Sequence, residues 1–118
     1  MKIPSALNWK ILTEIDQLAN LLEASYKKPQ VLFKHSTRCS VSSIALQRIE
    51  KSATVPNADF YFLDLIRFRN ISDKIAHELK VYHESPQLLL VIDGKCIYTE
   101  SHLGIDMMEL AEQIPAFN

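Results

Sequence analysis

The chain has 118 residues, 47% hydrophobic and 23% charged, with a formal net charge of -1. That suits a single domain over 1–118 with a real core, and it gives no electrostatic reason to expect nucleic acid or an anionic membrane as a partner. No apolar run is long enough to span a bilayer, and Met1-Lys2-Ile3-Pro4-Ser5 lacks the apolar stretch and cleavage site of a secretory signal, so a cytoplasmic location is expected.

Thr13-Glu14-Ile15-Asp16 reads as a helix start with Thr13 as cap, and Ile15, Leu18, Ala19 and Leu22 follow on one face. A short strand around Trp9 to Leu12 precedes it. Lys27-Lys28-Pro29 ends the helix, and Gln30 to His35 is a buried strand. A second helix begins after Ser36-Thr37-Arg38-Cys39, with Val41, Ile44, Ala45, Arg48 and Ile49 on one side. Phe60 to Leu65 is a strand with bulky residues on both faces. Asn70 can cap a third helix that turns Ile71, Ile75 and Leu79 inward. Gln87 to Ile92 is the most apolar run, and Asp93-Gly94 signals a hairpin returning through Lys95 to Thr99. A last helix, about Ile105 to Ile114, carries Met108, Leu110, Ala111 and Ile114. The first half alternates as βα units do and the second adds an antiparallel pair, so the class is α/β with a mixed sheet.

Two cysteines, Cys39 and Cys96, are too few for a disulfide framework, and in a reducing compartment both rest as thiols. Only two glycines occur, so no Gly-rich phosphate cradle can be built. Cys39 lies where a strand hands over to a helix. Unpaired N–H groups and the positive end of the helix dipole favour an anion there, and the thiolate is the nucleophile of thiol–disulfide exchange. Arg38 and Lys34 would add positive charge if their side chains turn to the sulfur. A small structural cysteine at a helix start is the alternative. Cys39-Ser40-Val41-Ser42 has the spacing of a redox Cys-x-x-Cys motif with serine in place of the second thiol. Residues three apart share a helix face, so the Ser42 hydroxyl could donate to the Cys39 thiolate, but it cannot resolve a mixed disulfide.

Phe33-Lys34-His35-Ser36-Thr37-Arg38-Cys39-Ser40-Val41-Ser42, then His83-Glu84-Ser85-Pro86-Gln87 and Ser101-His102, resemble the monothiol bacilliredoxins. These are redox proteins of the bacillithiol system, in the thioredoxin-like superfamily. The resemblance runs from about Trp9 to Ile114. It implies a thioredoxin-like three-layer sandwich, a central mixed β-sheet flanked by helices, with Cys39 as the redox-active cysteine and Pro86 as the cis-proline facing it. It also implies bacillithiol or a similar low-molecular-weight thiol as co-substrate, S-thiolated proteins as clients, and no bound cofactor. Ser40 departs from the pattern, since many relatives have proline there, and this bears on the redox potential. Physically, a cis bond at Ser85-Pro86 would present backbone groups to an incoming chain, whereas a trans proline opening a strand is the other reading.

The hairpin register tests Cys96 as a partner. With Asp93-Gly94 as the turn, Val91 pairs with Cys96 and Pro86 falls opposite Ser101. Cys96 then lies about 15 Å along the sheet from Pro86, beyond the reach of a disulfide to a Cys39 that faces that proline. Cys96 therefore reads as structural. His35, His83 and His102 all return toward the Pro86 end, where they would tune the thiolate or bind an acidic thiol; the alternative is loop residues with local hydrogen bonds. The candidate catalytic residues are Cys39 and Ser42, and the candidate substrate-binding residues are Arg38, His35, His83, Ser85, Pro86 and His102. No metal-ligand spacing is present. Two other functions fit the same fold: a binding module that recognises extended chains beside Pro86 without catalysis, and an Fe–S carrier like some monothiol glutaredoxins, whose Gly-Phe between Cys and Ser is absent here.

Overall fold

The apolar runs centred on Phe33, Phe62 and Leu89 meet in the middle of one sheet. In the computed structural model, which describes residues 7–115, the strands are β1 (Lys10–Ile11), β2 (Gln30–His35), β3 (Asp59–Asp64), β4 (Gln87–Ile92) and β5 (Lys95–Ser101). Met1–Ser5, read above for a secretory signal, lies outside the described residues. The strand order is β1-β3-β2-β4-β5, with β1, β3 and β2 parallel and β4 and β5 antiparallel to their neighbours. Helices α1 (Asp16–Ala24) and α3 (Arg69–Leu79) cover one face, and α2 (Ser40–Lys51) and α4 (Met107–Gln113) cover the other. This is the mixed-sheet α/β sandwich expected from the sequence.

Strand alternation divides the core in two. Val31, Phe33, Phe60, Phe62, Leu88 and Leu90 meet Ala45 and Ile49 of α2 and Leu110 of α4. Leu32, Tyr61, Leu63, Leu89 and Val91 meet Leu18 and Leu21 of α1 and Ile71, Ile75 and Leu79 of α3. β2 and β4 are buried along their whole length, as strands covered on both faces must be.

Four local expectations change. The segment entering α1 is held by Gln17, whose Oε1 accepts from the Thr13 and Glu14 N–H groups, each at 2.8 Å, while its Nε2 donates to Ile11 O. A longer side chain reaching back from inside the helix replaces the Thr13 cap. Helix α3 starts at Arg69, one residue before the expected Asn70 cap, because Asp64 holds the preceding turn: its carbonyl accepts from Phe68 N–H at 2.9 Å. Ile15, Ala19, Ile44 and Met108 are exposed, since the buried faces run through Leu18–Leu21, Ser42–Ala45–Ile49 and Met107–Leu110. Helix α4 starts later than Ile105 because Asp106 is its cap, accepting from Met108 N–H at 2.9 Å.

Candidate active site

The C-terminal end of β2 leads directly to the thiol. Cys39 is the N-cap of α2, in extended conformation. Its N–H donates to Ser36 O at 3.2 Å, closing the turn out of β2, and its carbonyl accepts the first helical bond from Ser43 N–H. The thiol makes no capping bond, so it is not consumed by holding the helix start. Cys39 is half-buried, and Arg38 beside it is exposed.

Ser42 sits one turn into α2 and is fully buried. Its Oγ accepts from Ser36 N–H at 3.0 Å and lies 2.8 Å from His35 Nδ1. Both of its hydrogen bonds go to the end of β2, and neither goes to Cys39. His35 is buried under α2 between the rings of Phe33 and Phe62. Burial pushes its imidazole down from the ordinary range, against the pull of Asp64 and of the Ser42 contact.

The peptide bond between Ser85 and Pro86 is cis. Lys34 pairs with Gln87 across β2 and β4, so Pro86 stands beside the end of β2 from which the Cys39 turn departs. Ser85 Oγ is buried with no hydrogen-bond partner among the described residues. A bulge corrects the expected hairpin register. Val91 pairs with Cys96, but Leu90 pairs with Tyr98, so Gln87 meets Ser101 and Pro86 faces His102. His102 N–H donates to Pro86 O at 2.9 Å.

The three imidazoles do not gather at one thiol. His35 is on the α2 face. His83 is on the α3 face, with its Nδ1 3.3 Å from Lys34 Nζ and 3.3 Å from Ser72 Oγ. Burial and the charges of Lys34 and Arg69 push its imidazole down, against Asp73 and Glu84. His102 is at the surface, where its Nε2 lies 3.2 Å from Glu84 Oε2 and ties the segment after β5 to the loop before Pro86. The period of the strand explains the split between His35 and Lys34: adjacent residues point to opposite faces. Lys34 is likewise withdrawn from the sulfur. It is fully buried against Ser72 O and His83, and loss of hydration pushes its amine down to about 8, against the pull of Asp73.

Cys96 is at the opposite end of the sheet. It pairs with Val91, five residues along β4 from Pro86, a span of about 15 Å. Its thiol donates to Tyr98 O at 3.4 Å and packs against the α1/α3 core. Burial pushes this thiol up, more than its contacts with the Tyr98 and Leu90 backbone draw it down. Sequence reasoning did not single out Ser72 or the backbone N–H of Ser36. A serine between Ile71 and Ile75 on a buried helix face was the available signal for Ser72. Nothing in the sequence marks a backbone donor.

The model of the family described as monothiol bacilliredoxin matches residues 10–110. A solved structure described as a candidate oxidoreductase with a thioredoxin fold is 31% identical, covers 88% of this chain and 91% of its own, and superposes with a TM-score of 0.77. Thioredoxin of Fasciola hepatica is 17% identical over 87% of this chain and 93% of its own, at a TM-score of 0.68. A thioredoxin of Malassezia sympodialis is 19% identical over 95% and 91%, at 0.66. The last two speak for the fold alone. With a thioredoxin-fold sandwich and one cysteine at the start of α2, the match over residues 10–110 places the chain in the monothiol bacilliredoxin family and gives it a thiol redox function.

Proposed function

We propose that this protein is a thiol–disulfide oxidoreductase that removes a low-molecular-weight thiol, bacillithiol by its family, from mixed disulfides on client proteins. The Cys39 thiolate attacks the sulfur of the small thiol. A new disulfide forms between Cys39 and that thiol, the client disulfide breaks, and the client leaves as a thiolate. A second small thiolate then attacks the adduct, forms the oxidised small-molecule disulfide and regenerates the Cys39 thiolate. Arg38, Ser85, Pro86 and His102 are the groups proposed to meet the substrate, and the cytoplasm is the proposed location.

The observation that supports this reading is the separation of the two thiols along the sheet. Cys96 is opposite Val91, while the turn carrying Cys39 leaves the end of β2 beside Pro86. A disulfide needs Cα atoms within about 7 Å, so Cys39 has no resolving partner in its own chain and an external thiol must complete the cycle.

Intact-mass measurement after treatment with oxidised bacillithiol tests the assignment. One adduct is expected, lost in Cys39→Ser and retained in Cys96→Ser. An adduct that maps to Cys96 would overturn it.

A further inference from the structure

Ser42 stands where a dithiol enzyme would carry its second sulfur, yet its hydroxyl is engaged elsewhere. A hydroxyl has one proton and two lone pairs. One lone pair accepts from Ser36 N–H at 3.0 Å, and a backbone N–H can only donate, so this bond has a fixed direction. The 2.8 Å contact with His35 Nδ1 has none. When Nδ1 carries no proton, it must accept, and the single proton of Ser42 is committed to it. When Nδ1 carries a proton, the imidazole donates, both lone pairs of Ser42 are filled, and the hydroxyl proton has to point somewhere else. Cys39, the N-cap of α2, is three residues before Ser42, the spacing at which an N-cap and the third helical residue reach one another.

We propose that His35 is a positioning residue for the thiol: its Nδ1 proton decides whether the Ser42 hydroxyl is locked against the end of β2 or released toward the Cys39 sulfur. This rests on Cys39 being the working thiol, as proposed above. The surroundings of His35 are suited to a two-state role. On β2 its same-face neighbour is Phe33, on β3 it meets Phe62 and pairs with Asp64, on α2 it meets Ser42, and Pro86 follows at the end of β4. Asp64 is the one charged group among these. The aromatic packing and burial favour neutral imidazole and Asp64 favours the cation, with burial the larger influence. In the neutral imidazole with its proton on Nε2 the hydroxyl is held, and the imidazolium formed on acidification, protonated at both nitrogens, releases it. The released proton is then free to form a hydrogen bond to the Cys39 sulfur.

The test is the rate of Cys39 alkylation by iodoacetamide between about pH 5 and 8, in a Cys96→Ser background. It uses no small-thiol substrate, so it is read independently of the mass assay above. The rate should fall on acidification with a shoulder where His35 gains its proton. His35→Asn keeps a polar group near Nδ1 without titrating and should remove the shoulder. Ser42→Ala should also remove it, with rates about three- to tenfold lower at the acid end. The double variant should lose no more than either single one. A shoulder that survives Ser42→Ala would mean that the imidazolium acts through its charge alone. A single smooth curve in the parent protein would mean that His35 and Cys39 are not coupled. Either result overturns the proposal.

Discussion

Lys34 and His35 are neighbours at the end of β2, and the strand sends them to opposite faces of the sheet. Both are polar, both are buried, and the two faces treat them differently. On the α2 face, His35 is drawn toward its neutral form by burial, framed by Phe33 and Phe62, and held to Ser42 at 2.8 Å, with Ser42 in turn held by Ser36. On the α3 face, Lys34 is an amine whose contacts are longer, 3.5 Å to Ser72 O and 3.3 Å to His83, with no carboxylate in salt-bridge range among the described residues. The first is a buried group with short partners, and the second is a buried group that keeps its place at a cost. The well-satisfied group is the one bonded to α2, the helix that Cys39 caps.

Truncation of the aromatic frame should have the largest effect. Phe33 is fully buried and meets Trp9, Phe62 and His35, with ring centroids at 6.2, 6.2 and 5.9 Å. Phe33→Ala should destabilise the fold by about 3–5 kcal/mol in denaturant titration, since the rigid rings around it collapse poorly into the cavity. A cost below about 1 kcal/mol would show that this face is as loosely packed as its opposite. Lys34→Met should do the reverse at pH 7 and stabilise by about 1–3 kcal/mol, because it removes a charge that burial disfavours while keeping the packing stem.

The pH dependence of that gain follows from the sign of the shift. The folded-state amine is lowered from 10.5 to about 8. Between those values the unfolded chain holds the Lys34 proton and the folded chain does not, so this residue makes stability rise with pH. Below about 8 both states are protonated and the full penalty is present. The advantage of Lys34→Met should therefore be largest at pH 7 and shrink toward pH 10.5. Taking the difference between the two proteins cancels Tyr61, Tyr98 and Cys96, whose raised values act in the opposite direction. A difference that stays flat with pH would show that Lys34 does not titrate in this window.

The contrast between the faces also explains what could be read in the sequence. Strands β2 and β4 were legible to the residue, because their apolar centres follow directly on Pro29 and Pro86, and the Asp93-Gly94 turn closes the second. The isolation of Cys96 was legible too, because it depends on register counted from a two-residue turn. The bulge beyond Val91 was not: nothing in Cys96-Ile97-Tyr98 marks an extra residue, and it shifted the residue facing Pro86 from Ser101 to His102. The gathering of three histidines failed for a simpler reason. Closeness in sequence to the end of a strand says nothing about face until the period of two is applied, and it separates His35 from Lys34 and His83.

The smallest effect sharpens the comparison most. Ser72→Ala removes a 3.3 Å contact with His83 Nδ1 but keeps the backbone carbonyl that Lys34 meets. At pH 7 the charged amine of Lys34 is the stronger donor to His83 Nδ1, so losing the hydroxyl should cost at most about 1 kcal/mol. Above about pH 8 Lys34 becomes a neutral, weaker donor, and His83 then depends more on Ser72. The cost of Ser72→Ala should therefore grow with pH while the benefit of Lys34→Met declines, and paired denaturant titrations at pH 7 and pH 10 would read both trends. A cost of Ser72→Ala that is equal at the two pH values would mean that Lys34 and Ser72 do not share His83. The α3 face would then hold an isolated buried amine with no small network around it.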